Sequence, residues 1–256
     1  MQQEYEIATR EGLLTRPVSA ADVLTPEHLI GLPECVQRYL DFTGVVGRPK
    51  VWNYRLRFTG ELRNAPDAPW MKVRIDQRSF VEPAARLFLI RASMFGVPFV
   101  TLHRYVGATA TFRVRLLGLF TVVDAFGSEM DQSETVTLLN DMCLLAPSTL
   151  ASDRVSWSEV EPLRARATFS NAGHTVSALV SFDESGALVD FLSNDRYRTV
   201  DGKSYSLVPW STPVHEWADF EGRRLPVKAD ARWIEPEGEL CYARFELAEA
   251  AYNSAG

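Results

Sequence analysis

Apolar and polar residues alternate along most of the chain from Lys50 onward. Trp52, Tyr54, Leu56 and Phe58 share one side, and Asn53, Arg55 and Arg57 share the other. That two-residue period belongs to a strand with one buried face. It returns in Trp70 to Phe80, where Met71, Val73 and Ile75 oppose Trp70, Lys72, Arg74 and Asp76. Residues 86–92, 101–106 and 107–117 continue the series, broken by glycine and proline. A second run covers 155–157, 163–169, 175–182, 188–194, 204–208, 214–219, 226–233 and 240–247, with turn sequences at Asn171–Gly173 and Asp183–Gly186. Many short strands separated by such turns favour an antiparallel arrangement over a parallel one.

Helical spacing interrupts this pattern in two places. Thr25-Pro26-Glu27 is a helix start, and residues 33–42 place Val36, Tyr39 and Leu40 on one face with Gly44 as the C-terminal cap. Between the two strand runs, Glu134 to Pro147 reads as an amphipathic helix, with Asp131-Gln-Ser-Glu134 as its capping box and Pro147 as its end. Another helical turn is expected at Pro147. The fold expected is α+β and mainly antiparallel β: a curved open sheet or incomplete β-barrel, with an N-terminal helix and a central helix at about 132–146 covering one face. Residues 1–24 read as an N-terminal extension and 25–256 as one β-rich domain.

Composition narrows the partners. Twenty-seven Lys and Arg against 33 Asp and Glu give a net charge of −6, and no basic run breaks the balance. No attraction to nucleic acid follows. No apolar stretch reaches the roughly 20 residues of a membrane span. The first residues lack a basic segment followed by an apolar one, so no secretory signal is expected. Three distant cysteines, Cys35, Cys143 and Cys241, fit a reducing cytoplasm better than a disulfide framework. Neither they nor the four histidines show metal-ligand spacing, so no metal and no cofactor is expected.

The candidate chemistry gathers around the central helix. Glu134 and Asp141 lie two turns apart on one face, which suits general acid–base work if burial raises one of them. The competing reading makes Glu134 a cap and Asp141 a solvated acid. Asn140 and Asp141 are poor helix formers in an apolar helix, so at least one has a hydrogen-bonding task. Arg196, beside Tyr197, either takes a carboxylate or phosphate or forms a buried bridge to Glu134 or Asp141. His103 and Tyr105 share one strand face and can point into the same interior. Cys143 reads as core rather than nucleophile. The aromatic residues Trp52, Trp70, Phe88, Phe95, Phe99, Trp157, Trp210, Trp217 and Trp233 would fill a closed barrel or wall an open one.

Several of these segments also carry a resemblance. Leu32-Pro-x-x-Val-Gln-Arg-Tyr-Leu40, Gly44-Val-Val-Gly47, Trp70, Gln77, Gly96-Val-Pro98, the helix from Glu134 to Cys143 with Pro147, and Trp157 form its first part. Asp195-Arg-Tyr197, Trp210-Ser-Thr-Pro213, Gly222, Trp233 and Tyr242 complete it. Together they resemble the DUF6544 (DUF6920-like) bacterial family of unknown function. The resemblance implies an incomplete barrel like those of periplasmic lipoprotein carriers of the LolA and LolB type, with helices over the mouth and a large apolar cavity.

The function expected is binding of a hydrophobic or lipid-like small molecule in that cavity. Phe88, Tyr105, Trp210 and Tyr197 are the expected walls, and Arg196 and Asn140 the expected holders of a polar head. The alternative is a metal-independent isomerase, cyclase or hydrolase using Asp141, Glu134 and His103. A third reading is an interaction protein with a filled interior.

Overall fold

In the computed structural model, which describes residues 1–15, 22–94 and 96–254, the alternating segments become one antiparallel sheet. The strands β1 (Asn53–Leu62), β2 (Met71–Phe80), β3 (Ala85–Met94), β4 (Val97–Val106), β5 (Thr109–Leu116) and β6 (Phe120–Phe126) form an up-and-down meander. The second run gives β7 (Val155–Glu161), β8 (Arg164–Asn171), β9 (His174–Phe182), β10 (Leu188–Ser193), β11 (Tyr197–Arg198), β12 (Ser206–Leu207), β13 (Trp210–Ser211), β14 (Val214–Phe220), β15 (Arg223–Glu235) and β16 (Gly238–Tyr252). The order across the sheet is β6-β5-β4-β3-β2-β1-β16-β15-β13-β10-β9-β8-β7, with β14 on β15 and a separate β11–β12 pair.

Consecutive strands stand at the two ends of that order. Between β6 and β7 the chain forms the long helix, so it leaves one edge of the sheet and returns at the other. Three helices occur among the described residues: α1 (Gln2–Leu14), α2 (Glu34–Phe42) and α3 (Ser128–Leu144). α3 packs against β5 and β6 near one edge and against β9 and β10 near the other. A sheet whose far ends both reach one helix has to curve around it. The edges are not zipped together, so the curved open sheet expected from the alternation is the one that forms.

α3 differs from the amphipathic helix expected. It begins at Ser128, a turn earlier, and it is buried nearly all round from Ser133 to Asp141. A helix enclosed by a curved sheet has no solvent side, which is why its apolar residues lack a single stripe. Its hydroxyls are satisfied locally: Ser133, Thr135 and Thr137 donate to the carbonyls of Glu129, Asp131 and Ser133 at 2.7, 2.8 and 3.0 Å. The capping box does not form. Gly127 is the N-cap, Asp131 Oδ1 accepts from the Ala110 N–H at 2.6 Å, and Glu134 lies in the second turn, fully buried.

The strand period decides which side chains face α3. On β3, Arg86, Phe88 and Ile90 point inward, while Leu87 and Leu89 point outward and join Leu102. Tyr5 and Ala8 of α1 cover that outer cluster, and the Tyr5 hydroxyl donates to Asp76 Oδ1 at 2.8 Å. The first part of the N-terminal extension is thus a helix docked on the outer face; residues 16–21 lie outside the described residues.

α2 is the helix expected at 33–42. Its Tyr39 hydroxyl donates to the Cys143 carbonyl of α3, and Tyr252 of β16 donates to the Leu145 carbonyl at 2.7 Å. Gly44 closes α2 at φ +67°, and a Cβ there would meet the Gly222 carbonyl oxygen at 2.6 Å. The turn of 3₁₀ helix expected at Pro147 spans Pro147–Thr149.

Two readings of the second half change. Trp210-Ser-Thr-Pro213, between the segments read as strands at 204–208 and 214–219, contains a further short strand, β13, paired with β10 and β15. The 204–208 strand shrinks to Ser206–Leu207 and pairs with β11.

Candidate ligand cavity

Between α3 and the inner face of β1–β5, β15 and β16 lies a cavity of about 480 Å³. Its size is that of a small-molecule pocket. Phe58, Phe88, Ile90, Val114, Phe245 and Leu247 supply much of its apolar wall. Where the strands run under α3 the lining becomes polar: Gln77, Arg86, Thr101, His103, Glu134, Thr137, Asn140, Asp141, Arg196 and Thr212 all face it. The result is an apolar cup with a charged end.

One arginine organises that end. Arg86 Nε donates to Asp141 Oδ2 at 2.8 Å and Nη1 donates to Glu134 Oε2 at 3.2 Å. The two acids, seven residues apart in the sequence, therefore meet on a single guanidinium. Gln77 Nε2 also donates to Asp141 Oδ2, at 2.6 Å. Glu134 Oε1 is shared by His103 Nδ1 at 3.2 Å, Thr137 Oγ1 at 3.4 Å and, at 3.7 Å, the Arg196 guanidinium. Arg196 is thus a bridge to Glu134 and not to Asp141. Asn140 Nδ2 donates to Thr212 Oγ1 at 2.6 Å, which spends its amide nitrogen on the fold and leaves its carbonyl oxygen.

The charges follow from burial and partners. Burial pushes the His103 imidazole below its ordinary value of 6.5 against the pull of Glu134, so the ring is neutral near pH 7 and its Nδ1–H donates to the carboxylate. Burial works against ionising Glu134 too, but His103, Arg86 and Arg196 outweigh it and hold this carboxyl well below the usual range. At Asp141 burial is the larger effect and lifts the carboxyl above its usual value despite Arg86 and Gln77. Two neighbouring carboxyls are thus driven in opposite directions, the pattern from which acid and base roles are made.

Of the residues expected at a site, Glu134, Asp141, His103, Asn140, Arg196, Trp210 and Phe88 converge on the cavity. Glu134 is not the cap expected of it, because the helix starts earlier and carries it inside. Tyr105 and Tyr197 do not reach the cavity. Tyr105 is buried farther along β4, where its hydroxyl accepts from Asn171 Nδ2 at 2.5 Å and lies 3.5 Å from Thr135 Oγ1. Tyr197 is half-buried in β11 and meets α3 through its backbone, its N–H donating to Ser133 Oγ at 3.0 Å. Among the expected aromatic walls, Phe88, Phe99 and Trp210 face the cavity, while Trp52 packs with Phe80 and Trp217 with Tyr39 and Phe42. Phe95 lies outside the described residues.

The sequence reading missed Arg86, Gln77, Thr101, Thr137 and Thr212. Two of these had a signal. Gln77 continues the inward register of Val73 and Ile75, and Arg86 precedes Phe88 and Ile90 on theirs. A polar residue inside an apolar register marks a buried hydrogen-bonding site. Cys143 is fully buried and its thiol is pushed up by burial, in keeping with a packing role.

Among the described residues no three His, Cys, Asp or Glu side chains are grouped to hold a metal ion, and no helix is long and apolar enough to cross a membrane.

A family model described as a family of unknown function, DUF6544, matches residues 22–245. No curated protein matches the chain. Among solved structures, one similar to this chain is a DUF1329 family protein from Desulfovibrio piger. The two are 11% identical over 86% of this chain and 91% of that one, with a TM-score of 0.47. A putative outer membrane lipoprotein-sorting protein domain from Vibrio parahaemolyticus is 11% identical over 86% and 92%, with a TM-score of 0.46. A LolA superfamily protein from Nitrosomonas europaea is 9% identical over 86% and 94%, with a TM-score of 0.43.

Proposed function

The chain belongs to the DUF6544 family, whose function is unknown, and on that premise we propose that it binds an amphipathic, lipid-like small molecule in its cup. The observation that carries the reading is the cavity itself: about 480 Å³ with largely apolar walls and a charged cluster under α3. Apolar surface buried there drives association at roughly 25 cal/mol per Å². The charged end fixes orientation, because buried polar groups left unpaired are costly. Phe88 and Trp210 act as walls, Arg196 meets the polar end of the ligand, and Asn140, tied to Thr212 through its amide, supports that end. We place this activity in a reducing compartment such as the cytoplasm, in keeping with three free cysteines.

Nile red, a neutral dye that brightens in apolar surroundings, tests the reading. The protein should bind it at one site. Ala231 is buried on the cavity wall, so Ala231→Trp should fill the space and remove the signal while the circular dichroism spectrum stays that of the wild type. A dye response untouched by that variant, or none in the wild type, sinks the reading.

One observation favours a second reading, acid–base catalysis in the same cup. His103 Nδ1 is held by Glu134, and Nε2 makes no hydrogen bond among the described residues. A neutral imidazole oriented by a carboxylate is a general base. In this reading His103 takes the proton, Glu134 orients it, and Asp141, with its raised carboxyl, is the acid. His103→Gln separates the two readings. A binder keeps the same bound molecule in both forms; an enzyme accumulates unreacted substrate in the variant alone.

A further inference from the structure

We propose that the polar end of the ligand is an anion, a carboxylate or a phosphate monoester, gripped by the Arg196 guanidinium. The inference rests on the cup being a ligand site. Arg196 is only 9% exposed. Its guanidinium lies over two indoles, 4.4 Å from the Trp210 ring centre and 5.1 Å from that of Trp233. Contact with the two rings holds the guanidinium in place and leaves its Nη edge as the way to approach it.

That edge still has donors to give. Nε reaches Thr137 Oγ1 at 3.4 Å, and Nη2 stands 3.7 Å from Glu134 Oε1, beyond hydrogen-bond length. Neither Nη donates a hydrogen bond among the described residues. Neither is sealed inside protein, because the sealed, unpartnered side-chain polar atoms among those residues are Thr9 Oγ1 and Arg232 Nε. The Nη groups therefore open onto the cavity that Arg196 lines. Arg86 makes the contrast: its Nε and Nη1 are both occupied by carboxylates.

Two features select an anion over a neutral head. The free edge of a guanidinium presents N–H groups in the spacing of two carboxylate or phosphate oxygens, whereas a hydroxyl engages one of them. The nearest acid also leaves room for an anion: Glu134 is divided among Arg86, Arg196 and His103, so Arg196 has no carboxylate of its own.

Displacement of Nile red by four probes of equal chain length tests the proposal: dodecanoate, dodecyl phosphate, dodecanol and dodecylamine. One or both anions should bind about tenfold to a hundredfold more tightly than dodecanol, the worth of a charge-assisted hydrogen bond. The tighter of the two names the head. Arg196→Met should bring the anions down to the dodecanol level without weakening dodecanol, and Arg196→Lys should fall between. If Arg196→Met does not fold, the wild-type series still decides. Dodecanol or dodecylamine binding as tightly as both anions overturns the anion and leaves the apolar cup standing. Displacement by none of the four removes the cup as a lipid-like site and the inference with it.

Discussion

Arg86→Met removes the centre of the charged end while keeping a side chain of similar reach. The Arg86 side chain is 7% exposed, and its partners Glu134 and Asp141 are 0% and 7% exposed. Glu134 keeps His103 and Arg196, but Asp141 keeps only the amide of Gln77. A buried carboxylate that loses its counter-charge costs about 3–5 kcal/mol. At about 2–4 °C per kcal/mol for a chain of this length, the melting temperature should fall by roughly 6–20 °C. The sign of the pH dependence is fixed as well. Burial already raises the Asp141 carboxyl, and loss of Arg86 raises it further, so the folded state binds that proton more tightly than the unfolded chain. The deficit is full above the raised value and shrinks as pH falls through it. Urea midpoints of wild type and variant, at neutral and mildly acidic pH, measure both effects. Adding Asp141→Leu should restore most of the loss, because replacing both members of a buried pair by apolar groups is far milder than stranding one. A single variant within about 0.5 kcal/mol of wild type at neutral pH, the ordinary range of a surface change, would refute the reasoning.

Other consequences are independent of that one. Stability should decline on acidification below about pH 6.5, because the folded state holds His103 below its ordinary value and the unfolded chain takes up the proton first; it should decline again below the ordinary Glu134 value of 4.5. His103→Gln should flatten the first of these steps in urea titrations and shrink the second, which Arg86 and Arg196 alone would then sustain. Gly44→Ala should lose more than about 1 kcal/mol, since φ is +67° and the new methyl meets the Gly222 carbonyl at 2.6 Å; an unchanged melt would show that the turn relaxes freely. In the native protein Cys241 should be the thiol that iodoacetamide labels, because Cys35 and Cys143 are buried; rapid labelling of all three under native conditions would contradict the packing of α2 and α3.

The fold was legible where a local period decides the structure. The alternation at 52–58 and 71–80 follows from one buried face, and the Val36, Tyr39 and Leu40 spacing from α2 lying on the same core. α3 was placed but misread, because its polar residues face partners distant in sequence. Glu134 meets Arg86 and His103, 48 and 31 residues earlier, and nothing local distinguishes that role from an N-terminal cap. Asp131-Gln-Ser-Glu134 matched a capping box by composition, while the true start at Gly127 depends on a glycine at φ 107°. The strand period put His103 and Tyr105 on one face correctly, yet it carries no information on where along the strand α3 covers that face. Arg86 and Gln77 were readable as polar residues on an apolar register; their shared partner Asp141 was not.

The central claim is that the cup holds an amphipathic ligand. Native mass spectrometry of the protein extracted gently from its source cells tests it most directly. The account predicts a population heavier than the chain by the mass of an amphiphile, released by organic solvent and absent when Ala231→Trp is expressed in the same cells. Protein that emerges bare in repeated preparations, and that also fails to take up Nile red, would contradict it.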